Sequence, residues 1–260
     1  MITPDSPALF DFVRRFDRER FVTVLFAPAE RRDDLLALYA FNIELSRIRE
    51  QAREPIAGLI RLQWWRDTIL GGEGRGLHPL VDPLRATIQR RDLNPEQIDR
   101  LLILRERDFE SDPPEDLTAA EQLAVAGPIT LAHLALAVLG ADQAANRAAA
   151  TAVATAWGIL GHLRALAYHR SLGRPTLPAS DPSSLPEMAQ ILGNRAGQQL
   201  ALVRQIPYQR HALPVLLPAL QAEAHLAALR RANWDLLDPR LLRFLPRPWA
   251  LTWAAWKGTI

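Results

Sequence analysis

The chain has 260 residues, 48% of them hydrophobic and 23% charged, which is the balance of an ordinary globular protein. It contains no cysteine, and this excludes disulfides, thiolate metal sites and cysteine nucleophiles. The formal net charge is only +2, acidic and basic residues are interspersed, and no zinc knuckle or RNA-binding motif occurs, so we expect no nucleic-acid partner.

Helical periodicity begins near the start of the chain. Ser6-Pro7 forms a helix start, with a capping residue followed by proline in the first turn. Apolar residues at a 3.6-residue period then predict a helix over about 29–51, and Pro55 begins the next one. The glycine-rich segment Gly71–Gly76 predicts a loop. It lacks the Lys-Ser/Thr pair of a phosphate-binding loop, so we expect no nucleotide there.

The middle of the chain is also helical. Asn94 and Thr118 each precede a Gln or Glu by three residues, the spacing of a capping box, so each is predicted to begin a helix. The segment 122–141 carries no formal charge. Its glycine, proline, histidine and many alanines favour a core helix surrounded by other helices over a membrane span. The segment 148–163 has the same character.

The last third of the chain reads as a connection followed by three helices. The connection is the proline- and serine-rich segment 175–186, and the helical patterns lie near 187–206, 211–232 and 239–257. No alternating run of β-branched residues is long enough for a strand. The sequence therefore predicts an all-α protein in which residues 1–260 form a single large helical domain.

Three segments of this chain resemble the squalene/phytoene synthase family. They are Leu38–Glu50, Gly58–Asp67 and Ala156–Pro178. The second reads Gly-Leu-Ile-Arg-Leu-Gln-Trp-Trp-Arg-Asp and is similar to the family's Arg-Leu-x-Trp-Trp-Arg-Asp signature. The resemblance implies the helical isoprenoid synthase fold with a central cavity.

The resemblance departs from the family at its two aspartate-rich motifs. In family enzymes these motifs hold Mg²⁺ through carboxylate oxygens, and the metal neutralises the diphosphate leaving group. Here only one of the positions retains an acid, and histidine is a poor ligand for magnesium. We therefore predict no catalytic residue, no metal site and no cofactor, with Mg²⁺ expected only if the protein is an enzyme after all. The degenerate positions are Ser46, Arg47 and Glu50 in the first motif and Arg164, Ala165, Tyr168 and His169 in the second.

Other polar and aromatic residues in these segments are candidates for cavity or ligand contacts. Glu44 lies in an apolar helix, where a charge is costly unless it is paired. Pairing with Arg47 or Arg61 would replace the lost metal charges, and a contact with a ligand or partner is the other interpretation. The adjacent pair Trp64-Trp65 is predicted to pack and to line the cavity. The full candidate set is Asn42, Glu44, Arg61, Gln63 and Trp64.

A closer resemblance extends over most of the chain. The segments Ala40–Leu45, Gly58–Trp65, Leu163–His169 and Asp235–Trp256 are similar to the respiratory complex I assembly factor 6 branch of the superfamily. That resemblance implies a non-catalytic protein that keeps the fold and assists assembly of complex I (NADH dehydrogenase). It would bind a complex I subunit, a lipid or an isoprenoid.

Two alternatives remain open on the sequence. The first is an active transferase that condenses prenyl diphosphates in isoprenoid biosynthesis, with a relocated metal site built from Glu44, Glu50 or Asp67. The second is a carrier of a hydrophobic ligand that needs no partner protein. Carboxylates converging from facing helices would favour the enzyme, and a co-purified lipid would favour the carrier.

The C-terminal tryptophans and the N-terminus bear on location. Trp249, Trp253 and Trp256 share one face of the last helix, for which we expect core packing. The alternative is docking at a membrane interface, helped by Arg243, Arg247 and Lys257.

The start of the chain bears on localisation. Because residues 1–12 match neither a secretory signal nor a transit peptide, we expect the protein in the bacterial cytoplasm, with possible peripheral contact at the inner membrane.

Overall fold

The structure is a computed structural model that describes residues 6–72, 78–178, 181–242 and 247–260. These residues form α-helices, short 3-10 helices and connections, with no β-strand among them, which confirms the predicted all-α class. The chain divides into two compact units. The first is Met1–Glu110 with His133–Asp142, and the second is Ser111–Ala132 with Gln143–Ile260. The assignment of residues 1–260 to one domain stays a prediction.

The first unit is built around its third helix. It contains α1 (Ser6–Phe16), α2 (Arg18–Val24), α3 (Ala29–Gln51), α4 (Pro55–Ile69), α5 (Val81–Arg91), α6 (Pro95–Glu106) and the last turns of α7 (Leu117–Leu139). Helix α3 packs against α1, α4, α5 and α6. Trp65 of α4 is fully buried, and its ring packs edge to face on Phe41 of α3 with the centroids 5.5 Å apart. Large rings in this core fix α4 against α3.

The second unit is built around α8. It contains the first turns of α7, then α8 (Ala144–Arg164), α9 (Leu166–Ser171), α10 (Leu185–Val203), α11 (Leu213–Leu216), α12 (Pro218–Arg231) and α13 (Pro248–Lys257). Helix α8 packs mainly against α10 and α12. Its buried side consists largely of alanine with Gly158, Ile159 and Leu160. Small side chains at such positions allow neighbouring helices to approach closely.

Several predicted helix ends are confirmed. The helix expected over about 29–51 is Ala29–Gln51, and the next begins at Pro55. The Asn94 side chain accepts a hydrogen bond from the Glu96 amide at 2.8 Å, which is the expected cap. The predicted start at Thr118 is wrong by two residues, because Asp116 accepts from the Ala119 amide at 2.8 Å and an aspartate caps a helix at least as well as a threonine.

The C-terminal helices are shorter than predicted. The pattern near 211–232 is divided between α11 and α12 at Pro218, since proline has no amide hydrogen to continue the helix. The pattern near 239–257 contains a 3-10 helix at Pro239–Leu242 and then α13. Residues 243–246 of that pattern lie outside the described residues, as do residues 73–76 of the predicted glycine loop.

The expected core packing of the C-terminal tryptophans is wrong. Trp249, Trp253 and Trp256 are 86%, 57% and 69% exposed. The other side of α13 is buried instead, through Leu251 and Ala254. A spacing of four and three residues fixes a common helical face but does not say whether that face meets protein or solvent.

Two helical segments are long and apolar enough to cross a membrane, Leu117–Leu139 and Arg210–Arg231. This is weak evidence for spans, because core helices of soluble proteins meet the same criterion. In the most apolar window of each, 44% and 67% of the residues are buried. The expectation of a core helix over 122–141 holds for Leu131–Leu139, where most residues are buried, whereas residues 125–129 are partly exposed.

Candidate functional site

The side chains at the first degenerate motif are held by the first unit itself. The Ser46 hydroxyl donates a hydrogen bond to the Ile43 carbonyl in the same helix at 2.8 Å. The guanidinium carbon of Arg47 lies 4.1 Å from the centroid of the Phe16 ring, a cation–π contact with α1. Glu50 is exposed. The motif therefore offers one carboxylate, that of Glu50, while its cation Arg47 is held on Phe16.

The predicted ion pair of Glu44 is wrong for both proposed partners. Arg61 donates to the Gln51 side chain at 2.7 Å, across the turn that joins α3 to α4, and Arg47 lies on Phe16. Within the described residues neither arginine forms an ion pair with Glu44. Glu44 is nevertheless buried, at 8% exposure, and acts on His78. Burial lowers the pKa of His78, the charge of Glu44 raises it, and the charge of Arg61 lowers it.

Two further candidates form side-chain hydrogen bonds within the first unit. The Asn42 side-chain oxygen accepts from Arg105 of α6 at 3.3 Å, which satisfies a polar group in an apolar helix. Gln63 donates to Asp67 at 2.7 Å and accepts from Arg66 at 3.0 Å, all on α4. One oxygen of the Asp67 carboxylate, a candidate ligand of a relocated metal site, therefore accepts a hydrogen bond within its own helix.

The aromatic residues of α4 form a small cluster with His78. The rings of Trp64 and Trp65 lie 4.9 Å apart, and the His78 ring is 5.0 Å from Trp65 and 6.5 Å from Trp64. Trp65 is a packing residue, as predicted, and its buried indole N–H has no hydrogen-bond partner among the described residues. Trp64 is partly exposed beside it. Sequence reasoning missed His78, because it follows the glycine loop and belongs to no periodic segment.

The second degenerate motif lies where α8 ends and α9 begins. Arg164 is the last residue of α8, and Ala165 has φ −88° and ψ 6°, which separates the two helices. Tyr168 is 40% exposed. The His169 ring on α9 lies 5.2 Å from the ring of His162 on α8, seven residues earlier along the chain. Imidazole and phenol groups thus occupy the places where the family pattern has carboxylates.

Arg164 reaches into the interior of the second unit. Its terminal nitrogen Nη1 lies 2.7 Å from Nδ1 of His225 on α12 and also contacts Nε2 of the same ring. His225 is 2% exposed and packs edge to face on Trp157, with centroids 6.0 Å apart. A guanidinium can only donate, so the ring nitrogen that it meets must accept. The sequence does contain a signal for His225, since Gln221 and His225 are polar residues four apart on the apolar side of α12.

A groove of about 620 Å³ lies elsewhere in the second unit, between α10 and α12. An ion pair between Arg204 and Glu223 crosses it. None of the site residues predicted from the sequence lines this groove. Its polar lining is Asn194, Gln198, Arg204, Glu223 and Arg230.

The residues present do not fit the magnesium cluster of the family enzymes. In the described part of the chain, no three His, Asp or Glu side chains are grouped so as to hold a metal ion. The first motif supplies the Glu50 carboxylate and the second supplies none. Magnesium requires several oxygen ligands in near-octahedral geometry, and neither motif supplies such a set.

Comparison with known proteins places the chain in a family. The family model for squalene/phytoene synthase matches residues 13–185. Complex I assembly factor 6 (NADH dehydrogenase, ubiquinone) of Bos taurus is 26% identical over 255 residues, covering 90% of this chain and 76% of that protein. The Homo sapiens protein of the same name is 25% identical over 252 residues, covering 89% and 75%.

Solved structures agree on the fold. The squalene synthase HpnC of Alicyclobacillus acidocaldarius superposes with a TM-score of 0.72 at 22% identity, covering 88% of this chain and 96% of that one. A dehydrosqualene synthase in complex with ligand gives a TM-score of 0.78 at 13% identity, covering 97% and 94%. With the match of the family model to most of the chain, these likenesses show that the protein belongs to the squalene/phytoene synthase family and has its helical isoprenoid synthase fold.

Proposed function

We propose that this protein assists the assembly of respiratory complex I as a non-catalytic member of the squalene/phytoene synthase family. The observation that carries the proposal is its similarity to proteins named complex I assembly factor 6, which extends over 90% of the chain. The similarity covers both units, so it is not confined to the family signature. The role would depend on binding a complex I subunit, a lipid or an isoprenoid chain.

The chemistry of the two motifs supports a non-catalytic role. Ionisation of a prenyl diphosphate places negative charge on the leaving group, and metal ions normally neutralise it. Arg47 would repel a metal ion at the first motif, and it is already engaged with Phe16. At the second motif His169 packs beside His162, and Ala165 has no ligand atom. Neither motif therefore retains the group of carboxylates that would hold the metal.

An enzyme assay tests the catalytic half of this proposal. The purified protein is incubated with farnesyl or geranylgeranyl diphosphate, Mg²⁺ and NADPH, and released diphosphate is measured, with the squalene synthase HpnC as a positive control. We expect no release above the blank without protein. Release in proportion to protein concentration would contradict the proposal and favour the transferase alternative. In that case the variants Glu44→Gln, Glu50→Gln and Asp67→Asn test for a relocated metal site, because loss of diphosphate release in a variant would identify a carboxylate of that site.

A gene deletion tests the assembly half. Deletion in the source organism should reduce assembled complex I on native gels and NADH oxidation by membranes, while the isoprenoid products remain unchanged. The wild-type chain should restore assembly, and Glu50→Gln should restore it equally, because the last motif carboxylate has no catalytic task. A loss of isoprenoid products with normal complex I would overturn the assembly role. A lipid that co-purifies in native mass spectrometry, together with normal complex I in the deletion strain, would favour the carrier.

A further inference from the structure

The outer face of α13 is an unusual surface for a protein of this size. It displays Trp249, Trp253 and Trp256, which are 86%, 57% and 69% exposed. At about 100° per residue these three positions fall within about 60° of one another around the helix axis and extend about 10 Å along it. Trp253 and Trp256 also contact each other, with ring centroids 5.1 Å apart. Burial of three indoles from water would be strongly favourable for any surface that accepted them.

The helix that carries these rings is fixed to the second unit at both ends. At its start, the Arg247 side chain donates to the Leu220 carbonyl at 3.0 Å. At its end, Arg210 donates to the carbonyls of Ala255 and Trp256 at 3.2 and 3.3 Å. The Ile260 amide beyond the helix donates to the Tyr208 hydroxyl at 2.7 Å. With Leu251 and Ala254 buried underneath, the tryptophan face is held outward.

The chain segment that includes α13 carries side-chain charges of one sign. The segment 239–260 contains no aspartate or glutamate side chain, whereas it contains Arg240, Arg243, Arg247 and Lys257. Arg240 is paired with Asp238 at 2.6 Å and so contributes little. The Lys257 ammonium lies 4.9 Å from the centroid of the Trp253 ring, so a cation and an indole are presented together. The guanidinium of Arg210 adds a second cation at the same end of the helix.

This combination fits the interface of a lipid bilayer. Tryptophan is enriched at the level of the headgroups, where the ring is partly apolar and its N–H remains hydrated. Cations beside the ring attract anionic headgroups. A helix of 10 residues is about 15 Å long and cannot span a bilayer, which needs about 20 residues, so it would lie along the surface. Projecting rings insert into a fluid surface without a matching pocket, whereas a protein partner would need one.

We propose that α13 docks this protein on the surface of an anionic lipid bilayer, with Trp249, Trp253 and Trp256 in the headgroup region and Lys257 against the acidic lipids. The inference rests on the geometry and charge of α13 and not on the assembly role. The two are therefore tested separately.

Vesicle co-sedimentation of the full chain tests the docking. Vesicles of phosphatidylcholine mixed with phosphatidylglycerol should sediment the protein, pure phosphatidylcholine should sediment less, and added salt should reduce binding to the mixed vesicles. The variant Trp249→Ala/Trp253→Ala/Trp256→Ala should lower the affinity about tenfold or more, because its apolar contact with the interface is lost. Circular dichroism and thermal unfolding check that the variant remains folded.

A matched control is available on α4. Ile56, Leu59 and Ile60 are also large, apolar and exposed, at 63%, 37% and 63%, but they lie in the first unit. The variant Ile56→Ala/Leu59→Ala/Ile60→Ala should bind vesicles like the wild type. If this control loses binding and the tryptophan variant keeps it, the proposal is overturned. Unchanged binding of a folded tryptophan variant overturns it as well.

A charge reversal covers the case in which the triple variant does not fold. Lys257 is exposed, so Lys257→Glu should fold normally and lose most of the preference for anionic over neutral vesicles. An unchanged preference would contradict the proposed orientation. If the wild type binds no vesicles, the membrane proposal is wrong. If the tryptophan variant then also fails to co-purify a complex I subunit that the wild type co-purifies, the face docks protein and the assembly role stands.

Discussion

A β-carbon added to Gly158 would lie 2.5 Å from the carbonyl oxygen of Ala124, because α8 and α7 meet there backbone to backbone. The same added β-carbon would lie 3.1 Å from the Cα of Val125. No flexible side chain lies between the two helices at this point, so a clash cannot be relieved by a change of rotamer. The alanine-rich side of α8 thus serves to bring helices of the second unit close together.

Replacing this glycine should be costly. Gly158→Ala has to push α7 and α8 apart, and overpacking of this kind typically costs about 1–3 kcal/mol of unfolding free energy. Gly161 is the matched control, since it lies in the same helix and a β-carbon there meets nothing within 4 Å. Gly161→Ala should be neutral or stabilising by up to about 1 kcal/mol, as expected for alanine in a helix. Urea unfolding measures both variants, and equal effects would contradict the close approach.

In the first unit, the Asp34 carboxylate joins α3 to α5. It is 2% exposed and accepts hydrogen bonds from Arg91 at 2.6 Å, Arg90 at 2.6 Å and Thr87 at 3.0 Å. Asp34→Ala removes the carboxylate that neutralises the mostly buried Arg91 guanidinium, which keeps only its hydrogen bond to the Glu30 carbonyl at 2.7 Å. We expect a loss of about 3 kcal/mol of unfolding free energy. Asp11→Ala removes an ion pair in which both side chains are well exposed, and it should cost less than about 1 kcal/mol. Thermal and urea unfolding measure both variants. Similar losses of unfolding free energy would contradict the role of Asp34 as a buried ion-pair partner that joins α3 to α5.

The helices of the first unit were predictable because their signals are local. Pro55 fixes the start of α4, and the apolar period fixes the extent of α3. The interactions of the candidate site were not predictable in the same way. Arg61 finds its acceptor in Gln51 across a turn and not in Glu44, and Arg164 meets His225 at a separation of 61 residues. Which side chain bonds to which depends on tertiary packing, and the hydrophobic periodicity of the sequence gives no information about it.

The acid stability of the protein should depend on His78. Burial lowers the pKa of His78 in the folded protein, Glu44 partly opposes this, and Arg61 adds to it. The unfolded chain has a histidine pKa near 6.5, so it binds the proton first as the pH falls. Stability contributed by neutral His78 is therefore complete above about pH 7.5 and is lost as the pH falls through about 6.5 toward the lower folded value.

Substitution isolates this contribution. His78→Gln should flatten the fall in unfolding free energy between about pH 7.5 and about pH 5.5 relative to the wild type. Glu44→Gln removes the charge that favours the imidazolium, so NMR titration should show the pKa of His78 moving further down. An upward movement in Glu44→Gln, or an unchanged acid profile in His78→Gln, would contradict this assignment.

Restoring acids to one motif alone should not create an enzyme. Ser46→Asp/Arg47→Asp gives the first motif three carboxylates with Glu50, while the second motif keeps Ala165 and His169. We expect no diphosphate release from farnesyl diphosphate and Mg²⁺, because diphosphate ionisation in this family uses metal held by both motifs. The variant also loses the contact of Arg47 with Phe16, which should cost about 0.5–1 kcal/mol, and Arg47→Ala measures that cost separately. Diphosphate release by the folded double variant would show that one motif suffices, and the second motif would no longer support a non-catalytic role.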